Sequence, residues 1–183
     1  KLLAEDDSFE VQVLPAWRPD RAVNLEKPDY PDYLAALSEA SGVEIKDFKS
    51  LLEALRVRMD FFARMGCSVS DHGLDYVVYE PATEETIESI LANRLLGVMP
   101  NRTEIAQFKT AVLVALGKEY HKRNWVMQLH YGAKRDNNRR IFRNLGPDTG
   151  VDCVNNHAPA AQLADFLNAL AETDALPKTI LYS

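Results

Sequence analysis

Cysteine is scarce in this sequence, and the patterns that mark disulfide-rich or membrane-spanning proteins are missing. The 183 residues include two cysteines, Cys67 and Cys153, which form no Cys-x-x-Cys motif. We therefore expect two reduced thiols in a cytoplasmic protein, rather than a disulfide or a zinc site. The sequence contains no run of eighteen apolar residues and does not open with a signal peptide, so neither a membrane span nor a membrane partner is expected.

A surface of concentrated positive charge is also lacking. The formal net charge is −6, and acidic and basic residues are interspersed without a basic stripe that alternates with aromatics. Nucleic acid is therefore not an expected partner. With 46% hydrophobic and 26% charged residues, the chain can form a globular core in one domain, with two domains as the alternative.

Common metal-binding motifs do not occur either. The four histidines form neither a His-x-His nor a His-Glu-x-x-His motif. A mononuclear zinc site usually takes three protein ligands, and His130 is the one plausible donor in this sequence. We therefore expect that any metal site would be completed by residues outside the chain.

What the sequence does contain is a regular alternation of predicted strands and helices. Strands are predicted at residues 9–17, 67–73 and 125–131 and from residue 179 onward. Helices are predicted at residues 31–41, 46–65 and 101–123, after residue 83 and around residues 163–170. Asn101 and Glu104 resemble a capping box at the start of the third of these helices. This order is typical of βα units, so we predict an α/β fold with about four parallel strands, mostly helical by residue count. The polar segment from Gly132 to Asn156 is predicted to be a long loop, and such loops are usually functional.

The strand from Trp125 to Tyr131 carries the clearest functional pattern. Because side chains alternate between the faces of a strand, Gln128 and His130 share one face of a largely apolar strand that we expect to be buried. Histidine titrates near neutrality, and His130 lies at the carboxyl end, where parallel α/β proteins keep their chemistry. The following loop, which includes Arg135, is rich in groups that bind hydroxyls and carboxylates. The alternative for His130 is a hydrogen-bonded core histidine.

Two further candidates, Asp71 and Arg18, follow the other predicted strands. Asp71 ends the second strand, and its alternative role is that of a turn residue in Ser-Asp-His-Gly. Arg18 lies between Trp17 and Pro19, where it either clamps a carboxylate through its forked guanidinium or stacks on the indole of Trp17.

An ordered set of motifs along the chain resembles the uronate isomerase (glucuronate isomerase) family of the amidohydrolase superfamily. The motifs cover essentially the whole chain: Trp17-Arg18-Pro19-Asp20, Ser70-Asp71-His72-Gly73, residues 125–130 with Gly132-Ala133, Arg135 with Asn137-Asn138, residues 146–150 and residues 176–182. Members of this family are distorted (β/α)8 barrels of more than twice this length. The resemblance therefore implies that residues 1–183 are the central portion of such a barrel, with the N-terminal and C-terminal barrel strands missing.

The resemblance also implies an activity, which is the reversible conversion of D-glucuronate to D-fructuronate and of D-galacturonate to D-tagaturonate. Asp71 and His130 match catalytic positions, and Arg18 matches a position that binds the substrate carboxylate. We expect Gln128 and Arg135 to bind substrate as well. The implied cofactor is a divalent metal, expected to be zinc, whose main ligands lie outside this chain, with His130 as a further ligand to be tested. The implied partners are a small uronate substrate and other copies of the full-length enzyme in a homo-oligomer, and the 183-residue segment is expected to be inactive alone.

Two other functions stay open at this point. One is metal-dependent hydrolysis of the kind found in the same superfamily, which needs a metal-bound water. The other is a non-catalytic sub-domain that associates with itself through exposed strand edges.

Overall fold

The computed structural model describes residue 8 and residues 10–147, 149–155 and 160–182. The described residues contain seven helices and five strands. In chain order these are α1 (Asp20–Val23), α2 (Tyr30–Ser41), α3 (Phe48–Arg64), β1 (Val69–Gly73), α4 (Glu84–Leu95), α5 (Arg102–Lys122), β2 (Val126–His130), β3 (Ala133–Lys134), α6 (Arg139–Leu145), β4 (Cys153–Val154), α7 (Ala160–Ala171) and β5 (Thr179–Tyr182). The prediction of an α/β fold, mostly helical, is confirmed. None of the described helices has the length and apolarity that crossing a membrane requires.

Three strands form a parallel sheet in the order β1-β2-β5. Each strand of this sheet lies beside the one that follows it in chain order. Trp17 extends this order by one parallel bridge to Ser70, in which the Trp17 N–H donates to the Val69 carbonyl at 3.0 Å. Within the described residues, the sheet thus has three strands and a single bridging residue where the sequence predicted four strands.

The predicted strand at residues 9–17 is wrong except at Trp17. Residues 10–16 form no strand, and the apolar side chains of Val11, Val13 and Leu14 are exposed. Pro15 has no N–H group, so it cannot donate the hydrogen bond that would continue the pairing from Trp17 along β1. Phe9 lies outside the described residues.

One face of the sheet is covered by helices and the other is more open. Ser70 and His72 of β1 and Met127 and Leu129 of β2 are buried, and α5 packs against β2. Their neighbours in sequence point to the opposite face and are half-buried or exposed. We call this side the open face; from the strand register it carries Val69, Asp71, Val126, Gln128, His130, Ile180 and Tyr182.

Side-chain caps fix where the long helices begin, as their sequences predict. The Asn101 side chain accepts from the N–H groups of Thr103 and Glu104, and Glu104 accepts the Asn101 N–H in return, which forms the predicted capping box of α5. Thr83 caps α4 by accepting the Thr86 N–H. The position of α5 matters for function, because its Tyr120 reaches the back of the sheet.

The segment after β2 has more structure than the loop that was predicted. β3 and β4 pair as antiparallel strands, and α6 lies between them in sequence, capped by Asn138. The pattern was missed because each element is too short to show a hydrophobic period. Within the described residues both cysteines are free, and Cys67 is buried whereas Cys153 is exposed.

Candidate active site

The parallel register brings the predicted site residues of β1 and β2 to one end of the open face. Asp71 pairs in register with Gln128, and Gly73 pairs with His130. His130 in turn pairs with Tyr182 of β5. Because the carboxyl ends of parallel strands meet at one edge of the sheet, side chains that are more than fifty residues apart in sequence become neighbours.

Asp71 and His130 contact each other directly. The Nε2 atom of His130 lies 3.0 Å from Oδ1 of Asp71, which forms an ion pair when the imidazole is protonated. Asp71 Oδ1 is a buried oxygen that forms no hydrogen bond within the described part of the chain. Its other oxygen, Oδ2, lies 3.2 Å from Nη1 of Arg18. Asp71 therefore links the guanidinium to the imidazole.

His130 is held from its other side by an aromatic ring. The rings of His130 and Tyr182 are stacked, with centroids 4.2 Å apart and planes 3° from parallel. The prediction that His130 is buried is wrong, since its side chain is 45% exposed. The buried face of β2 is the one that bears Met127 and Leu129, and His130 belongs to the open face.

Arg18 reaches the same place from the loop that precedes α1. The bridge between Trp17 and Ser70 fixes the backbone there, and the Trp17 indole is buried edge-on against Phe62. The Arg18 side chain is 56% exposed, and its Nε donates to Oδ2 of Asp20 at 3.0 Å. The guanidinium thus lies between the carboxylates of Asp20 and Asp71, at the solvent boundary.

A cluster of polar groups lies behind Arg18, and the sequence did not predict it. Asp20 Oδ2 also accepts the Gly73 N–H at 3.1 Å, and Asp20 Oδ1 lies 3.6 Å from Nδ1 of the fully buried His72. That distance is longer than a hydrogen bond, and the contact is an ion pair only when the imidazole is protonated. His72 Nε2 and the Tyr120 hydroxyl share a hydrogen bond of 3.0 Å. We call Asp20, His72, Gly73 and Tyr120 the Arg18 support.

The charge of Asp20 follows from these contacts. Burial alone would raise the pKa of its carboxyl, but the His72 imidazole, Arg18 and the Gly73 N–H together hold that pKa below its usual range. Burial raises the pKa of Tyr120 well above its usual value, so its hydroxyl keeps the proton that it can donate to His72.

No functional role was predicted for Asp20 or His72 from the sequence. A signal that could have found His72 is its spacing from Ser70, because alternate positions of β1 place these two polar side chains on the same, helix-covered face. Tyr182 was likewise missed as a partner of His130, because stacking depends on the register between β2 and β5.

A cleft of about 320 Å³ opens beside Arg18 and contains Arg135 in its wall. Nη1 of Arg135 lies 2.7 Å from Oδ2 of Asp152, and the N–H of Asp136 together with Arg135 holds the pKa of Asp152 below its usual range. The structure therefore brings Arg18 together with Asp71 and His130. Arg135 shares the wall of the cleft with Arg18, whereas Asp71 and His130 do not line it. Gln128 lies on the open face level with Asp71 but does not line the cleft.

The donor set of this site does not by itself form a metal site. Among the described residues, no group of three or more His, Cys, Asp or Glu side chains could hold a metal ion. Asp71 and His130 offer one oxygen and one nitrogen side by side. A mononuclear zinc site needs at least one more protein ligand.

Comparisons with known proteins agree with one another. A family model described as glucuronate isomerase matches residues 1–183. The chain is 60% identical to the uronate isomerase of Lachnospira eligens over 183 residues, and 50% identical to that of Endomicrobium trichonymphae over the same length. In both cases the alignment covers 100% of the chain but only 39% of the relative.

Solved structures match at the level of the fold as well. The crystal structure of uronate isomerase from Thermotoga maritima superposes with a TM-score of 0.88 at 33% identity, over 98% of this chain and 39% of that one. The glucuronate isomerase of Caulobacter crescentus superposes with a TM-score of 0.81 at 26% identity, over 94% of this chain and 36% of that one. The chain thus spans about two fifths of the length of these relatives.

The lowered pKa of Asp20 predicts an acid-dependent loss of stability. A carboxyl whose pKa is lower in the folded than in the unfolded chain stabilises the fold above the unfolded pKa, near the reference value of 3.8, and this contribution disappears as the pH falls through the folded value. Asp20→Asn should therefore lower the free energy of unfolding at pH 7 by more than it does below about pH 3. Urea unfolding of both variants at the two pH values measures this difference. An equal loss at both pH values would show that the charge of Asp20 does not stabilise the fold.

Proposed function

The chain belongs to the glucuronate isomerase family, and on that premise we propose that its function is the isomerisation of D-glucuronate to D-fructuronate and of D-galacturonate to D-tagaturonate. One observation carries the proposal. The Arg18 guanidinium, the Asp71 carboxylate and the His130 imidazole contact one another in series, at 3.2 Å and 3.0 Å, at the edge where the parallel strands end. Isomerisation of a carboxylated sugar needs a cation that binds the carboxylate and an acid–base pair that transfers protons. At this edge a guanidinium and an Asp–His pair lie side by side, within reach of solvent.

An aldose–ketose isomerisation moves hydrogen between adjacent carbons. A proton leaves C2 of the aldose while its carbonyl oxygen O1 is protonated, which gives an enediol. A proton is then delivered to C1 while the hydroxyl at C2 loses its own and becomes the ketone. Each half-reaction needs a base and an acid within hydrogen-bond reach of the substrate. We assign these proton transfers to the pair formed by Asp71 and His130.

The surroundings of the pair support this assignment. His130 is 45% exposed, so substrate can reach it, and the stacked Tyr182 ring restricts the orientation of the imidazole. Asp71 is less exposed, at 23%, and is fixed between Arg18 and His130. Oriented groups of this kind transfer protons more efficiently than mobile ones, because the reactive geometry is already formed.

Arg18 is the proposed binding residue for the substrate carboxylate. The burial of Trp17 against Phe62 supports this role over stacking of Arg18 on the indole, because the guanidinium instead lies with Asp20 and Asp71 at the solvent boundary. We propose that Gln128 and Arg135 bind other substrate oxygens. In support, Gln128 is level with Asp71 on the open face, and Arg135 lines the cleft next to Arg18.

We further propose that residues 1–183 are the central portion of a (β/α)8 barrel of the amidohydrolase superfamily. The sequential side-by-side order of Trp17, β1, β2 and β5 supports this, since barrel strands follow one another in that way. On β5, Ile180, Leu181 and Tyr182 are each more than 40% exposed, as expected where another strand adjoins.

The family's divalent metal, which we propose to be zinc, would take its main ligands from outside the described residues, with His130 as the candidate for an additional one. We also propose a cytoplasmic location, supported by the two free cysteines, and a homo-oligomeric enzyme.

Substitution of the acid–base pair should abolish most of the turnover. In an enzyme of full family length that contains these residues, Asp71→Asn and His130→Asn should each lower kcat by about a hundredfold or more, as loss of a general acid or base typically does. The measurement is steady-state turnover of glucuronate, with circular dichroism to confirm folding. Asp29→Asn provides a matched control, because Asp29 forms an exposed ion pair with Arg21 and contacts neither Asp71 nor His130 in the ion pairs described above. Turnover within threefold of the wild type would remove the substituted residue from the catalytic pair.

Arg18→Lys should impair the enzyme almost as much as Arg18→Ala. Lysine keeps the charge but lacks the planar fork that binds a carboxylate through two donors. Losing a hydrogen bond to a charged group costs about 1.5–3 kcal/mol, so kcat/KM for uronates should fall about tenfold to a hundredfold or somewhat more. A neutral aldose accepted by the same enzyme should lose much less. Arg21→Lys and Arg21→Ala are the matched controls. Equal losses for charged and neutral sugars would show that Arg18 does not recognise the carboxylate.

A further inference from the structure

We propose that Gly73 and Asp20 are positioning residues that orient the Arg18 guanidinium for the substrate carboxylate. This inference rests on the proposed function of Arg18 and adds residues that do not themselves touch the substrate. It concerns the Arg18 support, whose members come from α1, β1 and α5. Two independent observations carry it, one steric and one electrostatic.

The steric observation is the absence of a side chain at residue 73. A Cβ atom built there would lie 2.5 Å from Nη2 of Arg18 and 3.4 Å from Oδ2 of Asp20. Carbon and nitrogen cannot approach so closely without one of them moving, so the guanidinium occupies the space that any other residue would fill. Glycine usually weakens a strand, and its presence in one often marks a close approach by another group.

Backbone conformation gives no other reason for this glycine. Gly73 is not among the glycines with positive φ, unlike Gly132 and Gly146, so the β1 backbone at this position suits an L-residue. The neighbouring atom is also the end of a flexible side chain, so an alanine could be accommodated by displacing Arg18. Gly73→Ala should therefore disturb the position of the guanidinium while it leaves the strand paired.

The electrostatic observation is the attachment of Asp20 to the strand. One oxygen, Oδ2, accepts from both the Arg18 Nε and the Gly73 N–H, at 3.0 Å and 3.1 Å. The other, Oδ1, is buried without a hydrogen bond among the described residues and faces His72 at 3.6 Å. The Gly73 N–H thus holds against the strand backbone the same carboxylate oxygen that accepts from Arg18.

Orientation of this kind has consequences that a purely structural role lacks. Displacement of a binding group by about 1 Å can lower a rate by about a hundredfold. The loss should depend on Arg18 being present, and it should be confined to substrates that carry a carboxylate. A residue that serves only the stability of β1 would instead affect charged and neutral sugars alike.

The test is a double-mutant cycle in an enzyme of full family length that contains these residues. Gly73→Ala should lower kcat/KM for glucuronate at least about tenfold, with a much smaller effect on a neutral aldose and a shift in melting temperature within about 2 °C. In an Arg18→Ala background, Gly73→Ala should cause less than about a threefold further loss. Asp20→Asn should show the same dependence on Arg18, which covers the case in which Gly73→Ala fails to fold.

The matched control is Gly117→Ala on α5. A Cβ at Gly117 would lie 2.8 Å from Cδ1 of Leu170, so the steric conflict is similar, but it lies in the core away from Arg18. This variant should lower stability, and whatever activity it loses should be the same in the wild-type and Arg18→Ala backgrounds and for both classes of sugar. Losses from Gly73→Ala that are equally independent of Arg18 would overturn the proposal.

A crystal structure of the Gly73→Ala enzyme gives a readout that does not depend on activity. We expect the guanidinium to have left its position between Asp20 and Asp71 while β1 stays paired with β2. An unmoved guanidinium would overturn the positioning role. Absence of uronate isomerisation in the wild type would instead overturn the proposed function, and the crystal structure would still decide where Gly73 places Arg18.

Discussion

In the three-stranded sheet, parallel pairing places Gly73 beside His130 and His130 beside Tyr182. The contacts of His130 with Asp71 and with Tyr182 depend on this register. A shift of one residue would turn Asp71 and His130 toward the helices, because alternate side chains face opposite sides. The register is itself fixed by burial, since Met127 and Leu129 must remain under α5. The hydrophobic side of β2 therefore determines where the polar side acts.

Charge is unevenly balanced along the sheet edge. The Arg18 guanidinium lies between two carboxylates, those of Asp20 and Asp71, and a uronate would add a third negative group. The Arg18 support makes these charges compatible, because Asp20 also interacts with His72 and with the Gly73 N–H. Further positive charge is available from Arg135 in the wall of the adjoining cleft. Carboxylate recognition here thus depends on where each charge is held, rather than on the net charge of the site.

Sequence patterns predicted much of this arrangement. The strand that ends at His130 was found because a short apolar run followed by glycine is recognisable, and the capping box at Asn101 located α5. The burial of His130 was predicted wrongly, because alternation along a strand gives two faces but does not say which one the helices cover. The Arg18 support could not be predicted, since Asp20, His72 and Tyr120 come from three separate elements that meet only in the folded sheet. The prediction of a strand before Trp17 was wrong because periodicity does not show where pairing stops, and Pro15 lacks the N–H group that would continue the pairing along β1.

The central claim is that Arg18 binds the carboxylate of a uronate while Asp71 and His130 face its reacting carbons. The most direct test is a crystal structure of an Asp71→Asn enzyme of full family length, containing these residues, with glucuronate bound. The account predicts the substrate carboxylate within about 3 Å of the Arg18 guanidinium, the distance of a charge-assisted hydrogen bond, with C1 and C2 next to His130. A glucuronate whose carboxylate lies elsewhere, with Arg18 against a hydroxyl group or solvent, would contradict it.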